Sequence, residues 1–247
     1  MHGRGGPLHS GRDGGGGRGC RGGLAGEGCW CLWPARRQPG RLVKVGAASH
    51  AEKPVAGLPA APVKEALEGR RALFLDRDGT LIRDVGYPRF PCQVELIHGA
   101  ATAVATIAAA GFLPVLVSNQ SGVGRAVVSE AQLRSVHESM AAKLGAHGVS
   151  LAAAYYCPHA PWDGCSCRKP MPGLLLKAAN ELGIDLACSI MVGDKPTDVE
   201  AGRAAGCHAV LLSHGGAVRG ACASPDLIAE SWMEVVEWVL RQPWNRK

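Results

Sequence analysis

Residues 72–80 read Ala-Leu-Phe-Leu-Asp-Arg-Asp-Gly-Thr, an apolar run that passes directly into two acidic residues and a glycine. The apolar run predicts a short buried β-strand, and Gly79 permits a tight turn after it. Asp76 and Asp78 can then project toward one site. With a metal to offset charge repulsion, one carboxylate can attack phosphorus while the other serves as general acid and base. The alternative is an acidic turn that only caps the strand.

Outward from this stretch, short apolar runs alternate with helical patterns. Strands are predicted at 72–75, 112–117, 151–156, 189–192 and 209–212, and helices at 100–110, 129–145, 172–182, 197–205 and 227–240. This alternation predicts a Rossmann-like, three-layer α/β fold with a parallel sheet and no large cap domain. Ligands bind at the carboxyl ends of strands in such sheets. Polar residues follow four of the five strands: Asp76 and Asp78, Ser118 and Asn119, Cys157 and His159, and Asp194.

The N-terminal part of the chain differs in composition from the rest. Glycine makes up 13 of the first 30 residues, and residues 1–71 carry 12 Lys+Arg against 5 Asp+Glu. We expect a disordered extension over 1–69 and a folded domain over 70–247, because a Gly/Arg-rich segment buries too little apolar surface to fold. One hypothesis is that the natural protein starts after this segment.

Charge and hydropathy exclude two classes of partner for the predicted domain. Residues 72–247 carry 15 Lys+Arg and 16 Asp+Glu, so the domain lacks the basic excess that nucleic-acid binding requires. Its apolar runs are also shorter than the roughly 18 residues of a membrane span. We therefore expect neither a nucleic acid nor a membrane as partner.

Three cysteines and one histidine lie within one short segment: Cys157, His159, Cys165 and Cys167. Cys₃His is a standard tetrahedral zinc set, and the Cys-x-His and Cys-x-Cys pairs can each chelate from a turn. Four protein ligands leave no open position, so the predicted zinc is structural. Disulfides or free thiols are the alternatives. The ten cysteines do not form a disulfide framework, which favours a reducing cytoplasm.

The stretch Asp76-Arg77-Asp78-Gly79-Thr80 resembles the first signature of the haloacid dehalogenase-type phosphatases. The resemblance implies that Asp76 is the nucleophile and Asp78 the general acid/base. Ser118 matches the family's phosphoryl-binding Ser/Thr, and Lys169 matches its basic residue.

The acidic signature of that family is matched by Asp194 in Gly193-Asp194-Lys195. The resemblance implies Mg²⁺ ligands at Asp76, at the main-chain carbonyl of Asp78 and at Asp194, a set of hard oxygens that suits this ion. Asp198 is expected behind these ligands or as a charge at a helix N-terminus.

The zinc segment narrows the resemblance, over about residues 70–215, to two subfamilies. One comprises the heptose 1,7-bisphosphate 7-phosphatases of lipopolysaccharide-precursor synthesis, and the other comprises the histidinol phosphatases. The segments Asp84-Val85-Gly86-Tyr87 and Asn119-Gln120-Ser121-Gly122 favour the first subfamily. The compact spacing from His159 to Cys165 does not discriminate between them, and Ala126 stands where a glycine is common.

The resemblance to the heptose subfamily implies a set of substrate contacts: Asp84, Gly86, Tyr87, Asn119, Gln120, Ser121, Arg168 and Lys195. Arg168 would hold a second phosphate, at C1, by bidentate contact. The alternative for each is an ordinary packing or turn role.

The expected activity is hydrolysis of the C7 phosphate of D-glycero-D-manno-heptose 1,7-bisphosphate through an aspartyl phosphate. The expected cofactors are Mg²⁺ and structural Zn²⁺, and the expected protein is a cytoplasmic monomer whose partner is the sugar phosphate. Histidinol phosphate or another small phosphorylated metabolite is the alternative substrate. A zinc-stabilised binding module without catalysis is the alternative from another functional class.

Overall fold

In the part of the chain that the structure describes, six parallel strands form a single sheet. They are β1 (Arg71–Leu75), β2 (Phe112–Asn119), β3 (Ala153–Cys157), β4 (Ile190–Gly193), β5 (His208–Leu212) and β6 (Leu227–Ala229). Their order is β3-β2-β1-β4-β5-β6, and each neighbouring pair is parallel. The chain builds the sheet outward from β1 to β3, returns to the centre, and continues outward through β4. The connection order therefore reverses between β1 and β4, which is where open α/β sheets bind ligands.

The computed structural model describes residues 69–214 and 224–243, all of which belong to one compact unit. The predicted disorder of residues 1–69 lies outside the described residues, apart from Gly69. Within the described ranges, none of the helices combines the length and the apolar character that a membrane span requires.

Helices cover both faces of the sheet. They are α1 (Ala100–Ala109), α2 (Ser121–Gly124), α3 (Glu130–Gly145), α4 (Gly173–Leu182), α5 (Pro196–Ala204) and α6 (Trp232–Arg241). Strand β1 shows why two layers are needed, because Leu73 and Leu75 enter one buried cluster while Ala72 and Phe74 enter another. The first cluster also contains side chains from α1, α3 and α6, and the second contains side chains from α4 and α5. The predicted three-layer architecture is confirmed.

The end of the described chain differs from the prediction of one helix over 227–240. Leu227–Ala229 instead forms β6, with Ile228 half exposed and Ala229 fully buried, and α6 begins only at Trp232. The physical reason is a helix cap, because Ser231 Oγ accepts a hydrogen bond from the Glu234 backbone N–H. The residues before Ser231 are then free to pair with β5.

Candidate active site

Side chains at the carboxyl ends of three strands, β1, β2 and β4, converge beside the β1–β4 switch point. Asp76 follows β1, Ser118 lies near the end of β2, and Asp194 follows β4. Lys169 reaches the same place from the segment between β3 and α4. Gly79 makes the close approach possible: its φ is +81°, and a Cβ there would collide with the Asp194 carboxylate.

Lys169 is buried and lies between two carboxylates. Its Nζ is 2.9 Å from Asp76 Oδ1 and 2.6 Å from Asp198 Oδ1, and it donates a hydrogen bond of 2.9 Å to the Val117 carbonyl. Burial alone would lower the pKa of Lys169, but the charges of Asp198 and Asp76 outweigh burial and raise it. The ammonium group is therefore held charged beside the Asp76 carboxylate.

The backbone of Lys169 is fixed by the side chain of Asn119. Asn119 Nδ2 donates to the Lys169 carbonyl at 3.0 Å, and the Lys169 N–H donates to Asn119 Oδ1 at 3.0 Å. This reciprocal pair joins the end of β2 to the segment that carries the lysine. Asn119 was predicted to bind substrate, and in the structure these two atoms orient Lys169.

Asp78 lies in a buried hydrogen-bond network. The Arg77 guanidinium approaches both of its carboxylate oxygens, with Nη2 2.9 Å from Oδ2, and Gln120 Nε2 donates to Oδ2 at 2.8 Å. Gln120 also donates to Ser118 Oγ at 3.0 Å and accepts from Arg77 at 2.8 Å. Burial raises the pKa of Asp78, and the Arg77 charge only partly opposes that rise.

The pKa of Asp76 shifts in the opposite direction to that of Asp78. Burial would raise the pKa of Asp76, but the Lys169 charge and hydrogen bonds from Lys169 and Ser118 together lower it. One carboxyl group is thus biased toward the ionised form that a nucleophile needs. The other is biased toward the protonated form that a general acid needs.

Three carboxylates could hold a metal ion, since oxygens of Asp76, Asp194 and Asp198 lie within 4.8 Å of one another. Asp198 is already committed, because one oxygen pairs with Lys169 and the other accepts the Lys195 N–H at 3.0 Å. Asp194 is different: its Oδ1 is buried and has no hydrogen-bond partner. A buried carboxylate oxygen without a partner, next to a second carboxylate, fits the hard-oxygen site that Mg²⁺ prefers.

The predicted substrate loop, residues 84–87, is anchored beside this centre. Asp84 Oδ1 accepts the Gly86 N–H at 2.8 Å, and Asp84 Oδ2 lies 3.1 Å from Lys195 Nζ. Tyr87 OH accepts a hydrogen bond of 2.9 Å from Arg125. Two residues predicted to bind substrate, Asp84 and Lys195, are thus paired with each other at the edge of the site.

Two further residues that were predicted to contact substrate are sequence neighbours of residues in this centre. Ser121 is the first residue of α2, directly after Gln120. Arg168 directly precedes Lys169, and its Nη1 is buried without a hydrogen-bond partner. Arg168 therefore has a buried N–H donor that no protein group uses.

The cysteine–histidine segment forms a compact cluster. The Sγ atoms of Cys157 and Cys165 are 3.6 Å apart and those of Cys165 and Cys167 are 3.5 Å apart, while His159 Nδ1 lies 3.2 Å from Cys167 Sγ. A disulfide requires about 2.05 Å between sulfurs, so these thiols are not oxidised to one another. Zinc bonds of about 2.3 Å to sulfur and about 2.0 Å to nitrogen imply edges of about 3.5–3.8 Å in a tetrahedron. The cluster therefore fits a tetrahedral metal.

The structure shows two partnerships that the sequence did not predict. Arg77 is buried to 1% exposure and binds Asp78, although the sequence assigned no role to Arg77. Asp198 pairs directly with Lys169, whereas the sequence predicted only a position behind the Mg²⁺ ligands or a charge at a helix N-terminus. Arg77 and Asp78 are neighbours in the chain, but their shared contacts with Gln120, like the pairing of Asp198 with Lys169, depend on residues distant in the sequence. We find no local sequence signal that could have revealed either arrangement.

Comparisons with known proteins agree with the phosphatase site that the geometry indicates. A family model described as "HAD-hyrolase-like" matches residues 166–235. The chain is 46% identical over 142 residues to the D-glycero-beta-D-manno-heptose-1,7-bisphosphate 7-phosphatase of Yersinia pestis, which covers 54% of this chain and 75% of that protein. The enzyme of the same name from Escherichia coli strain K12 is 44% identical over 141 residues, covering 54% and 74%.

Solved structures give the same assignment. The D,D-heptose 1,7-bisphosphate phosphatase from B. bronchiseptica, complexed with magnesium and phosphate, has a TM-score of 0.64 and 33% identity, and the match covers 69% of this chain and 98% of that one. A HAD-like phosphatase from Mesorhizobium loti has a TM-score of 0.59 and 31% identity, with 71% and 90% covered. The resemblance expected from the sequence is confirmed, and the chain belongs to the heptose 1,7-bisphosphate 7-phosphatase family of the haloacid dehalogenase-like hydrolases.

Proposed function

We propose that this chain hydrolyses the C7 phosphate of D-glycero-D-manno-heptose 1,7-bisphosphate, as a step in the synthesis of lipopolysaccharide precursors. The observation that carries the proposal is the Lys169–Asp76 pair, 2.9 Å apart, at the switch point of the sheet beside the unpartnered oxygen of Asp194. The substrate named for the relatives from Yersinia pestis and Escherichia coli supports the choice of sugar.

The first chemical step uses Asp76 as nucleophile. One carboxylate oxygen attacks the phosphorus in line, an O–P bond forms on Asp76, and the bond between phosphorus and the C7 oxygen breaks. Asp78 donates its proton to the departing sugar oxygen. The Lys169 ammonium group and the Ser118 hydroxyl stabilise charge on the phosphoryl oxygens throughout.

The second step returns the enzyme to its starting state. Asp78, now ionised, removes a proton from a water molecule as that water attacks phosphorus, and the bond to the Asp76 oxygen breaks. Inorganic phosphate leaves, and Asp78 is again protonated. The contacts from Arg77 and Gln120 hold the Asp78 carboxyl group in one orientation for both proton transfers.

Mg²⁺ is the metal that we assign to this centre, held by Asp76, the main-chain carbonyl of Asp78 and Asp194. When bound, it offsets the repulsion between the carboxylates and the phosphoryl group. Asp198 lies behind this set, because both of its oxygens are committed to Lys169 and the Lys195 N–H.

Zn²⁺ is the metal that we assign to the cluster of Cys157, His159, Cys165 and Cys167. The atom spacings of 3.2–3.6 Å support a tetrahedral site with four protein ligands and hence a structural role. The segment leads directly into the part of the chain that carries Lys169, so the metal would fix that lysine's approach. Reduced thiols are also consistent with the cytoplasmic location that we propose.

The sugar bisphosphate would be bound by Asp84, Gly86, Tyr87, Asn119, Gln120, Ser121, Arg168 and Lys195. Arg168 is assigned to the C1 phosphate, and its buried, unpartnered Nη1 supports that role. Asn119 and Gln120 would contribute mainly by holding Lys169 and Asp78, given the hydrogen bonds they already form. The proposed enzyme is a monomer, which sedimentation would test.

Phosphate release tests the proposal. With Mg²⁺ present, kcat/KM for heptose 1,7-bisphosphate should exceed that for histidinol phosphate by orders of magnitude. A preference for histidinol phosphate would refute the proposed substrate but not the proposed mechanism. Failure to release phosphate from either compound, with Mg²⁺ bound, would overturn the assignment of this chain as a catalyst of this class.

A further inference from the structure

Arg125, which follows α2, contacts two aromatic rings. Its Nη1 donates a hydrogen bond of 2.9 Å to Tyr87 OH, and its guanidinium carbon lies 5.9 Å from the centre of the Tyr87 ring. The same carbon lies 5.8 Å from the centre of the Trp162 ring. Cations within about 6 Å of a ring centre are attracted to its face. A single guanidinium therefore links a ring of the substrate loop (residues 84–87) to a ring of the metal loop (residues 157–167).

Two glycines bring α2 close to both loops. A Cβ at Gly122 would lie 2.7 Å from Cδ1 of the Tyr87 ring, and one at Gly124 would lie 2.6 Å from the Pro158 carbonyl oxygen. The Gly124 N–H also donates to that carbonyl at 2.8 Å. Arg125 thus extends from a short helix that already packs against the two loops.

We propose that Arg125 is a positioning residue that couples the metal loop to the substrate loop and thereby sets the affinity for the sugar bisphosphate. This inference rests on the proposed function, because it takes Tyr87 as part of the substrate site. Trp162, which belongs to the metal loop, contacts the Arg125 guanidinium through its ring. The guanidinium in turn fixes the Tyr87 hydroxyl by a hydrogen bond. Lys195 anchors the other end of the substrate loop through Asp84.

A double-mutant cycle on KM separates coupling from direct substrate contact. Arg125→Met keeps the aliphatic stem and removes the charge, and Trp162→Leu removes the second ring. Each change should raise KM for heptose 1,7-bisphosphate about fivefold while kcat stays within about twofold, as expected for losing one exposed cation–aromatic contact. The double variant should show no more than about the same fivefold rise, because both changes break one chain of contacts.

The matched control for this cycle is Arg134→Met, an exposed arginine on α3. It should leave KM unchanged. A KM in the double variant that is the product of the two single effects, or an unchanged KM in Trp162→Leu, would overturn the coupling and leave Arg125 at most a direct substrate contact.

Fluorescence of Trp162 tests the same contact without turnover. Its signal is the difference between the protein and a Trp162→Phe variant. Arg125→Met should increase quenching of this signal by acrylamide, and so should Tyr87→Phe, which removes the hydroxyl that holds the guanidinium. In the Arg125→Met background, Tyr87→Phe should add nothing.

These readouts distinguish two failures. If the wild-type protein releases no phosphate from the bisphosphate, the proposed function fails, and the quenching series still decides whether the loops are coupled. If Tyr87→Phe leaves Trp162 quenching unchanged, the coupling is refuted whatever the substrate.

Discussion

At the scale of single residues, the environment of Asp76 separates the nucleophile from the neighbouring acid. Its pKa is held low by Lys169 against the effect of burial, whereas burial keeps the pKa of Asp78 high. Two chemically identical side chains, two positions apart, thus have different preferred protonation states. The sequence predicted both residues from their spacing after a strand, but the shifts depend on groups distant in the chain.

Asp76→Asn should lower kcat by roughly a thousandfold or more, because an amide is a poor nucleophile toward phosphorus. The cooperative thermal unfolding transition should persist, since Lys169 keeps Asp198 and the Val117 carbonyl as partners. Phosphate release and calorimetry provide the two readouts. Asp185→Asn, at an exposed position before β4, is the control and should retain activity. A kcat within tenfold of wild type in Asp76→Asn would refute the nucleophile assignment.

Arg77→Met should lower the free energy of unfolding by about 2–3 kcal/mol, because it leaves buried oxygens of Asp78 and Gln120 without the guanidinium that donates to them. Arg83→Met is the matched control: the Arg83–Glu95 pair is 3.4 Å long and its side chains are about two-thirds exposed. That change should cost less than about 1 kcal/mol. Urea unfolding compares the two, and equal losses would contradict the buried-network account.

At the scale of elements, the metal loop has little apolar core of its own. Only Cys157 and Ala160 among its members are buried hydrophobic positions, while Trp162 is 73% exposed. With the proposed zinc bound, metal bonds would give this segment the fixed conformation that its small apolar core does not. The loop leads along the chain to Lys169, whose backbone is also held by Asn119.

The proposed zinc site predicts one tightly held Zn²⁺ per chain, measured by elemental mass spectrometry after dialysis. Cys165→Ser should lose most of that zinc and unfold at a lower temperature. Cys92→Ser should retain it, because Cys92 is an exposed free thiol outside the cluster. Full zinc retention in Cys165→Ser would rule out the proposed ligand set.

The last helix illustrates where element prediction fails. Apolar spacing over 227–240 favours one amphipathic helix, yet the Ser231 cap starts the helix at Trp232 and leaves 227–229 for a strand. The capping pattern Ser231-x-x-Glu234 was readable in the sequence. What could not be read is that β5 offers an edge for those three residues, because strand pairing is a tertiary property.

At the scale of the whole molecule, alternating strands and helices predicted the parallel sheet and its two helical layers. The order of strands was not predictable, since periodicity identifies elements and not their neighbours. That order places β1 beside β4 and so brings Asp194 to Asp76 across more than a hundred residues. The site is therefore a consequence of topology as much as of motif.

The cluster of Asp76, Asp194 and Asp198 also predicts that the stability of the metal-free protein depends on pH. Burial, reinforced by Asp76 and Asp198 and opposed by Lys195, raises the pKa of Asp194 to about 7 from 3.8. Between these two values the folded protein binds a proton that the unfolded chain has lost, so this contribution to stability falls as pH rises toward 7. In EDTA, Asp194→Asn should therefore flatten the fall in melting temperature between about pH 5 and 7. An unchanged slope would contradict this reading.

Mg²⁺ should stabilise the folded protein more as pH rises, because the metal binds the ionised Asp194 carboxylate. Addition of saturating Mg²⁺ should raise the melting temperature more at pH 8 than at pH 6, and Asp194→Asn should abolish most of that gain. An equal Mg²⁺ response in the wild type and in Asp194→Asn would exclude Asp194 as a ligand.

³¹P NMR of the wild-type protein acting on heptose 1,7-bisphosphate with Mg²⁺ tests directly whether the chain removes the C7 phosphate. We expect the C7 phosphate signal to disappear, an inorganic phosphate signal to grow in its place, and the anomeric C1 phosphate signal to remain. Loss of the C1 signal with the C7 signal retained, or no change in either, would contradict this expectation.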